Sequence, residues 1–240
     1  MLIVIPMAGS SSRFYKSGFT LPKYMLYAGS NSLFSISISS FEAYFESASF
    51  LFICREAFNT TEFISRECDL LGIKNFQIVK LDRVTSGQGE TVKLGLKRSK
   101  LSLLDPLVVF NIDTFRKNFR LKSYPSEVSG YLEVFSAPGS NWSFVEVIPG
   151  TDQVIRTAEK NRISDKCSNG LYYFRSGEVF IEALENYYRE EIKGETFIAP
   201  IYNYLVSQSS VRIVQVNNDD IVAFGTPEEY MLYLKKVIIG

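Results

Sequence analysis

Leu2-Ile3-Val4-Ile5-Pro6-Met7-Ala8-Gly9-Ser10-Ser11-Ser12-Arg13, joined through Phe14 to Leu21 to Pro22-Lys23, is the stretch that decides the reading of this chain. Leu2 to Ile5 are all aliphatic, a run too short for a helix and suited to a strand buried on both faces. Pro6 ends the run. Gly9 and the three serines after it make a loop of small side chains. Such a loop can bring backbone N–H groups close to an anion while hydroxyls complete the hydrogen bonding. Arg13 and Lys23 add positive charge, one as a planar fork and the other as a compact point. Taken alone, the stretch equally fits a strand followed by a solvated surface loop. It is no dinucleotide fingerprint, because Gly9 lacks a second and third glycine at the required spacing, and no Walker A loop, because no Gly-Lys-Ser/Thr follows.

The absence of histidine from all 240 residues narrows the chemistry. It excludes His-based acid–base catalysis, Ser-His-Asp hydrolysis and almost every zinc enzyme. Carboxylates, lysines, arginines, hydroxyls or a hard metal remain. That set suits phosphoryl and nucleotidyl transfer, where positioning and charge neutralisation dominate. Lys+Arg and Asp+Glu both number 26, which leaves no basic field for nucleic acid. No apolar run approaches the roughly eighteen residues of a membrane span, so no membrane partner is expected. The first strand begins without a basic region or a small-residue cleavage site, so no signal peptide is expected. Cys54, Cys68 and Cys167 fit neither a disulfide framework nor a CxxC metal site, and the expected setting is a reducing cytoplasm. Hydrophobic residues at 46% and charged residues at 22% are ordinary for a globular protein. With no repeats, low-complexity tracts or linkers, one domain is expected over residues 1–240.

Along the chain, strand and helix signals alternate. A helix is expected over Leu33 to Phe45, capped by Asn31 or Ser32, then a strand at Phe50 to Cys54. A helix at Thr60 to Leu71 is closed by Gly72, and Phe76 to Val79 is the next strand. Gly87 and Gly89 break the pattern before Glu90-Thr91 opens another helix. Pro106 to Phe110 is again strand. The alternation predicts an α/β fold with a mostly parallel central sheet flanked by helices. Ligands in such sheets bind beyond the carboxyl ends of the strands, where Gly9 and Arg13 would sit. From Ser129 the pattern turns antiparallel, with strands at Gly130 to Phe135, Trp142 to Ile148 and Val154 to Thr157. A strand at Ser168 to Phe174, helices at Gly177 to Glu190 and Thr196 to Val206, and a strand at Val211 to Val216 follow. Gly225-Thr226-Pro227 starts the last helix, with acids beside it.

Two positions in this scheme carry chemistry on residue type alone. Asp113, just past the Pro106–Phe110 strand, is placed to hold Mg²⁺ against nucleotide phosphates, since Mg²⁺ commonly takes one or two carboxylates plus phosphate oxygens. An Asx turn or helix cap is the plainer use of such an aspartate. Gln88, between Gly87 and Gly89, carries two donors and an acceptor, although a turn and a capped helix start is the plainer use of this segment.

Ile5-Pro6-Met7-Ala8-Gly9, three residues and Arg13, followed by Pro22-Lys23, resembles the signature loop of nucleotidyltransferases that activate sugar phosphates and related metabolites. The longer gap before Pro22-Lys23 is similar to that of the capsule-biosynthesis branch, which includes cytidylyltransferases acting on phosphorylated amino-acid derivatives such as phosphoglutamine, on phosphocholine and on sugar phosphates. The resemblance extends over nearly the whole chain, with its motifs in order. It implies a Rossmann-like, GT-A-like sheet with a smaller antiparallel acceptor-binding portion. Residues 1–125 would mainly bind nucleotide and 126–240 mainly acceptor. The implied reaction joins an NTP, CTP favoured, to a phosphorylated small molecule and releases pyrophosphate, with Mg²⁺ as cofactor. Ala8, Gly9, Ser10, Ser11, Ser12, Arg13, Lys23, Gly87, Gln88, Asn111 and Asp113 would hold the nucleotide. Of these, Arg13, Lys23 and Asp113 would be catalytic and Asp113 would bind the metal. Glu159, Lys160, Asn169 and Gly170 would hold the acceptor, with Trp142-Ser143-Phe144 bordering the same pocket. The family's second metal aspartate has no counterpart at Ala223, Phe224 or Gly225, and Asp219 or Asp220 would be its substitute. UTP or dTTP with a hexose 1-phosphate is the close alternative. A GT-A glycosyltransferase is a further one, although Asn111 breaks its DxD motif, and a silent nucleotide-binding regulator is the last.

Overall fold

The structure is a computed structural model that describes residues 1–191 and 194–239. The first half alternates as expected: β1 (Leu2–Pro6), α1 (Ser12–Lys16), β2 (Tyr27–Ala28), β3 (Asn31–Ser32), α2 (Leu33–Ile38), β4 (Ser49–Arg55), α3 (Thr60–Leu71), β5 (Asn75–Leu81), α4 (Gln88–Arg98) and β6 (Leu107–Phe110). The second half holds β7 (Thr114–Arg116), β8 (Val128–Phe135), β9 (Ser143–Val147), β10 (Val154–Glu159) and β11 (Cys167–Phe174). It ends with α5 (Gly177–Glu191), α6 (Tyr202–Gln208), β12 (Ser210–Gln215), β13 (Ile221–Ala223) and α7 (Pro227–Ile239).

Among the described residues nine strands form the main sheet, and its centre is parallel: β5, β4, β1 and β6 run side by side in that order. β11 then joins β6 antiparallel and leads into β8, β9 and β10, with β12 parallel on the far edge of β8. Alternation along β1 shows why the sheet is covered on both faces. Leu2 and Val4 enter one core with Val92 and Leu96 of α4 and Phe180 and Leu184 of α5. Ile3 and Ile5 enter the opposite core with Phe34 and Ile38 of α2 and Ile64 and Cys68 of α3. Each such side chain, fully buried, contributes about 1.5–3 kcal/mol of transfer free energy, which holds β1 between the two helical layers.

Several local expectations changed in tertiary context. The helix expected from Leu33 to Phe45 is α-helical only to Ile38. It then tightens into a 3₁₀ turn over Ser39–Tyr44, with Phe41 off helical dihedrals. The helix expected from Thr196 begins at Ala199, because Thr196 forms a β-bridge with Gly87. β7 and β13 pair with each other in a separate two-stranded ladder. β7 is fixed from behind by the Ser37 hydroxyl, which donates to the Thr114 carbonyl at 2.8 Å. The Arg116 N–H donates to the Ser40 hydroxyl at 2.9 Å. Among the described residues, no helix is long and apolar enough to cross a membrane.

Candidate active site

A cleft of about 790 Å³ opens beyond the carboxyl ends of β1 and β6. Its first wall is the loop after β1. The Arg55 side chain donates to the Ala8 carbonyl at 2.8 Å, and the Met7 N–H bonds to the Ile53 carbonyl, which fixes the start of the loop on β4. A side chain at Gly9 would project into open space, so the glycine leaves the mouth of the cleft uncovered. Ser11 takes a left-handed conformation (φ 51°), and its hydroxyl accepts the Lys23 N–H at 3.3 Å. Sequence neighbours twelve apart thereby become one surface. Arg13, exposed at the start of α1, lines the same wall.

Lys23 reaches across to Asp113, with Nζ 2.5 Å from Oδ2, and the two side chains are 21% and 26% exposed. A pair so accessible to water holds geometry rather than contributing much stability. Asp113 is packed tightly from behind, because a Cβ at Gly225 would lie 2.8 Å from Oδ2. Gly225 is itself clamped. The Glu229 carboxylate accepts the N–H groups of Gly225 and Thr226 at 2.9 and 3.0 Å, and the Thr226 hydroxyl accepts the Glu229 N–H at 3.2 Å. This is a capping box at the start of α7. Asp219 and Asp220 sit in a turn at the far end of the β7–β13 ladder, where the Asp220 carbonyl accepts the Lys117 N–H, and neither lines the cleft.

Among the described residues, no three His, Cys, Asp or Glu side chains converge on a common point. Asp113 supplies one carboxylate, Lys23 takes its Oδ2, and no described group takes Oδ1. That donor set fits a hard cation that brings most of its oxygen ligands with a polyphosphate, and it does not fit an all-protein metal cage.

At the next wall Gly87 lies against Thr196. The Thr196 N–H donates to the Ser86 carbonyl, and a Cβ at Gly87 would sit 2.4 Å from Thr196 backbone atoms. Gln88 then opens α4, and its Nε2 donates to Asn111 Oδ1 at 2.8 Å. Gln88, Asn111 and Asp113 therefore share one surface.

The opposite wall comes from β10 and β11. Glu159 is half-buried and accepts a hydrogen bond from the Ser143 hydroxyl. Burial pushes its pKa above the ordinary carboxylate value, against the opposing effects of Ser143 and Lys160. Lys160 turns left-handed (φ 54°), donates its N–H to the Trp142 carbonyl, and lays Nζ 4.5 Å from the centre of the Phe197 ring. It stands at the rim: Glu159 lines the cleft and Lys160 does not. Asn169 and Gly170 lie on the wall, but the Asn169 amide points inward and donates to Glu133 Oε2 at 2.9 Å. The Gly170 carbonyl accepts the Asn111 N–H at 3.0 Å. Burial raises Tyr24 and Tyr172, which also face the cleft, to about 12, so neither ionises near neutrality.

Sequence reasoning missed Glu195, Phe197 and Glu229, which also line the cleft. The Thr226-x-x-Glu229 spacing is a capping-box signature and offered a local signal for the last of these. Glu195 and Phe197 had none, because they reach the site only through the bridge between Thr196 and Gly87.

No family model and no curated protein matches the chain. Solved structures do. A nucleoside-diphosphate-sugar pyrophosphorylase from Vibrio cholerae RC9 is 45% identical over 97% of this chain and 99% of its own, with a TM-score of 0.92. An apo UDP-glucose pyrophosphorylase (14% identity, 99% and 98% coverage) and the inositol-1-phosphate CTP transferase from T. maritima (12%, 100% and 96%) each superpose with a TM-score of 0.75. At those identities the last two speak for the fold alone.

Proposed function

The chain belongs to the nucleotidyltransferase family that includes the nucleoside-diphosphate-sugar pyrophosphorylase of Vibrio cholerae, and we propose that it transfers a nucleoside monophosphate from CTP to a phosphorylated small molecule. The role we assign is the supply of capsule or surface-polysaccharide precursors, with the cytoplasm as its setting. Residues 1–125 mainly serve the nucleotide and residues 126–240 mainly the acceptor, within one domain. The observation that carries the reading is the meeting of Lys23 with Asp113, beside Arg13, at the end of β6.

An oxygen of the acceptor's phosphate attacks the α-phosphorus of the nucleotide in line. The new P–O bond forms as the bond to the β-phosphate oxygen breaks, and pyrophosphate leaves with that electron pair. Arg13 meets the charge on the leaving pyrophosphate. Lys23, released from Asp113, meets the charge that builds at the α-phosphate. Gly9 and Ser10 to Ser12 line the path of the polyphosphate, and Gln88, steadied by Asn111, faces the base. Asp113 would hold Mg²⁺, which supplies charge neutralisation across the phosphate oxygens when bound. Glu159, Lys160 and the β11 wall at Asn169 and Gly170 confine the acceptor.

Pyrophosphate release tests the proposal, with CTP, UTP, dTTP, ATP and GTP crossed against phosphorylated sugars, choline and amino-acid derivatives in the presence of Mg²⁺. Release with CTP and one acceptor supports the cytidylyl transfer and names the acceptor. Release with UTP or dTTP and a hexose 1-phosphate corrects the nucleotide. Silence throughout, with tight binding of a nucleoside-diphosphate sugar, overturns transfer to the phosphate in favour of sugar transfer.

A further inference from the structure

Behind the cleft wall lies a set of charges that the reaction does not use. Glu133 of β8 is 1% exposed and Arg116 of β7 is 8% exposed, and Arg116 Nε donates to Glu133 Oε2 at 2.7 Å. The same oxygen accepts Asn169 Nδ2 at 2.9 Å, while Asn169 Oδ1 accepts the Leu171 N–H at 3.0 Å. A buried ion pair of this kind is weak evidence for stability, because apolar side chains of similar volume often serve the fold as well. Its placement accounts for it better.

The register between β11 and β8 slips at this point. Ser168 faces Val134 and Tyr172 faces Leu132, so Asn169-Gly170-Leu171 bulges where β8 presents only Glu133. Across the bulge, the other edge of β11 changes partner, from β9 at Cys167 to β6 from Leu171 onward. The sheet forks here, directly under the cleft. Backbone pairing alone leaves such a bulge weakly specified. The Asn169 side chain supplies the missing fixture by tying the bulge to Glu133. Gly170 is left-handed (φ +87°), and a Cβ there would lie 2.6 Å from Asn111 Nδ2. Its carbonyl holds the Asn111 N–H, and Asn111 holds Gln88. Arg116, at the other end of the network, belongs to the strand that starts immediately after Asp113.

We propose that the buried Arg116–Glu133–Asn169 network is a positioning device: it locks the β11 bulge to β7 and so sets Gly170, Asn111 and Gln88 against Asp113 across the cleft. The inference rests on the transfer reaction assigned above. Neither Arg116 nor Glu133 lines the cleft, and Asn169 reaches it as part of the β11 wall. Their effect passes through the bulge.

Three variants separate positioning from support of the fold. In Arg116→Met/Glu133→Leu the charges are gone and volume is kept, so the protein holds its Tm within about 5 °C while Asn169 loses its acceptor. Its kcat/KM in pyrophosphate release falls at least about tenfold, and amide hydrogen exchange at Asn111 accelerates. Glu133→Gln keeps an oxygen for Asn169 but leaves Arg116 without its counter-charge. It melts earlier, yet below its Tm it turns over within about threefold of the parent. Asn169→Ala replaces the double variant should that one fail to fold, and it is judged by amide exchange at Asn111 rather than by turnover. Activity that simply follows Tm across the set overturns the proposal, as does unchanged exchange at Asn111. A parent that releases no pyrophosphate from any pair overturns the function reading instead. The network is then judged on CTP affinity, and equal affinity in parent and double variant overturns it.

Discussion

The two walls of the cleft are built by different means. The loop after β1 and the turn after β6 take their form from nearby sequence: an aliphatic strand, a break, small residues, and a cation or carboxylate at the strand's end. The β10–β11 wall takes its form from a bulge, a left-handed glycine and a buried ion pair contributed by β7 and β8. In the first wall a substitution removes a charge from a fixed frame. In the second it moves the frame.

The largest effect expected is in the first wall. Lys23→Ala removes a cation aimed at the reacting phosphate, and kcat should fall by about 10²–10³, or about 3–4 kcal/mol in the barrier, with Tm little changed. A rate within a few-fold of the parent would break the contrast at once. Gly170→Ala probes the second wall. The left-handed backbone alone costs about 1–3 kcal/mol, and the new methyl would collide with Asn111, so both denaturant stability and turnover should drop. Next comes Lys160→Ala. With Nζ parked on the Phe197 ring at the rim, its loss should raise the acceptor KM about tenfold and leave kcat within about threefold.

The smallest effect sharpens the comparison through pH. Burial raises the pKa of Glu159 above its unfolded value, so the folded state binds more protons between the two values. Stability therefore falls as pH rises from the ordinary carboxylate value through the raised one. Glu159→Gln removes that slope. Its Tm should match the parent's at acid pH and exceed it at neutral pH, as a melting series would show.

The same contrast explains what the sequence made legible. α3 matches its expected span from Thr60 to Leu71, because its stop, Gly72 at φ +76°, is local to the chain. β1, β4 and β6 were readable because strands buried on both faces stand out as aliphatic runs. Lys23 and Asp113 were identified from a loop pattern and a strand end, yet their contact joins residues 90 apart and only the fold shows it. β7 and β13 were invisible, being three residues each and held by contacts distant in sequence: each other, Ser37 and Ser40, and the Arg116–Glu133 pair. Asn169 was singled out for the acceptor; it lies on the cleft wall, and the fold adds that its Nδ2 donates to the buried Glu133. No period or motif in β8 announces that a glutamate there is buried.

The most direct test of the account is a side-by-side measurement of pyrophosphate release by the parent, Lys23→Ala and Lys160→Ala, at saturating CTP with the acceptor concentration varied. Lys23→Ala should lose kcat, and Lys160→Ala should keep kcat with a raised acceptor KM. Equal losses of kcat in both variants, or full turnover in Lys23→Ala, would contradict it.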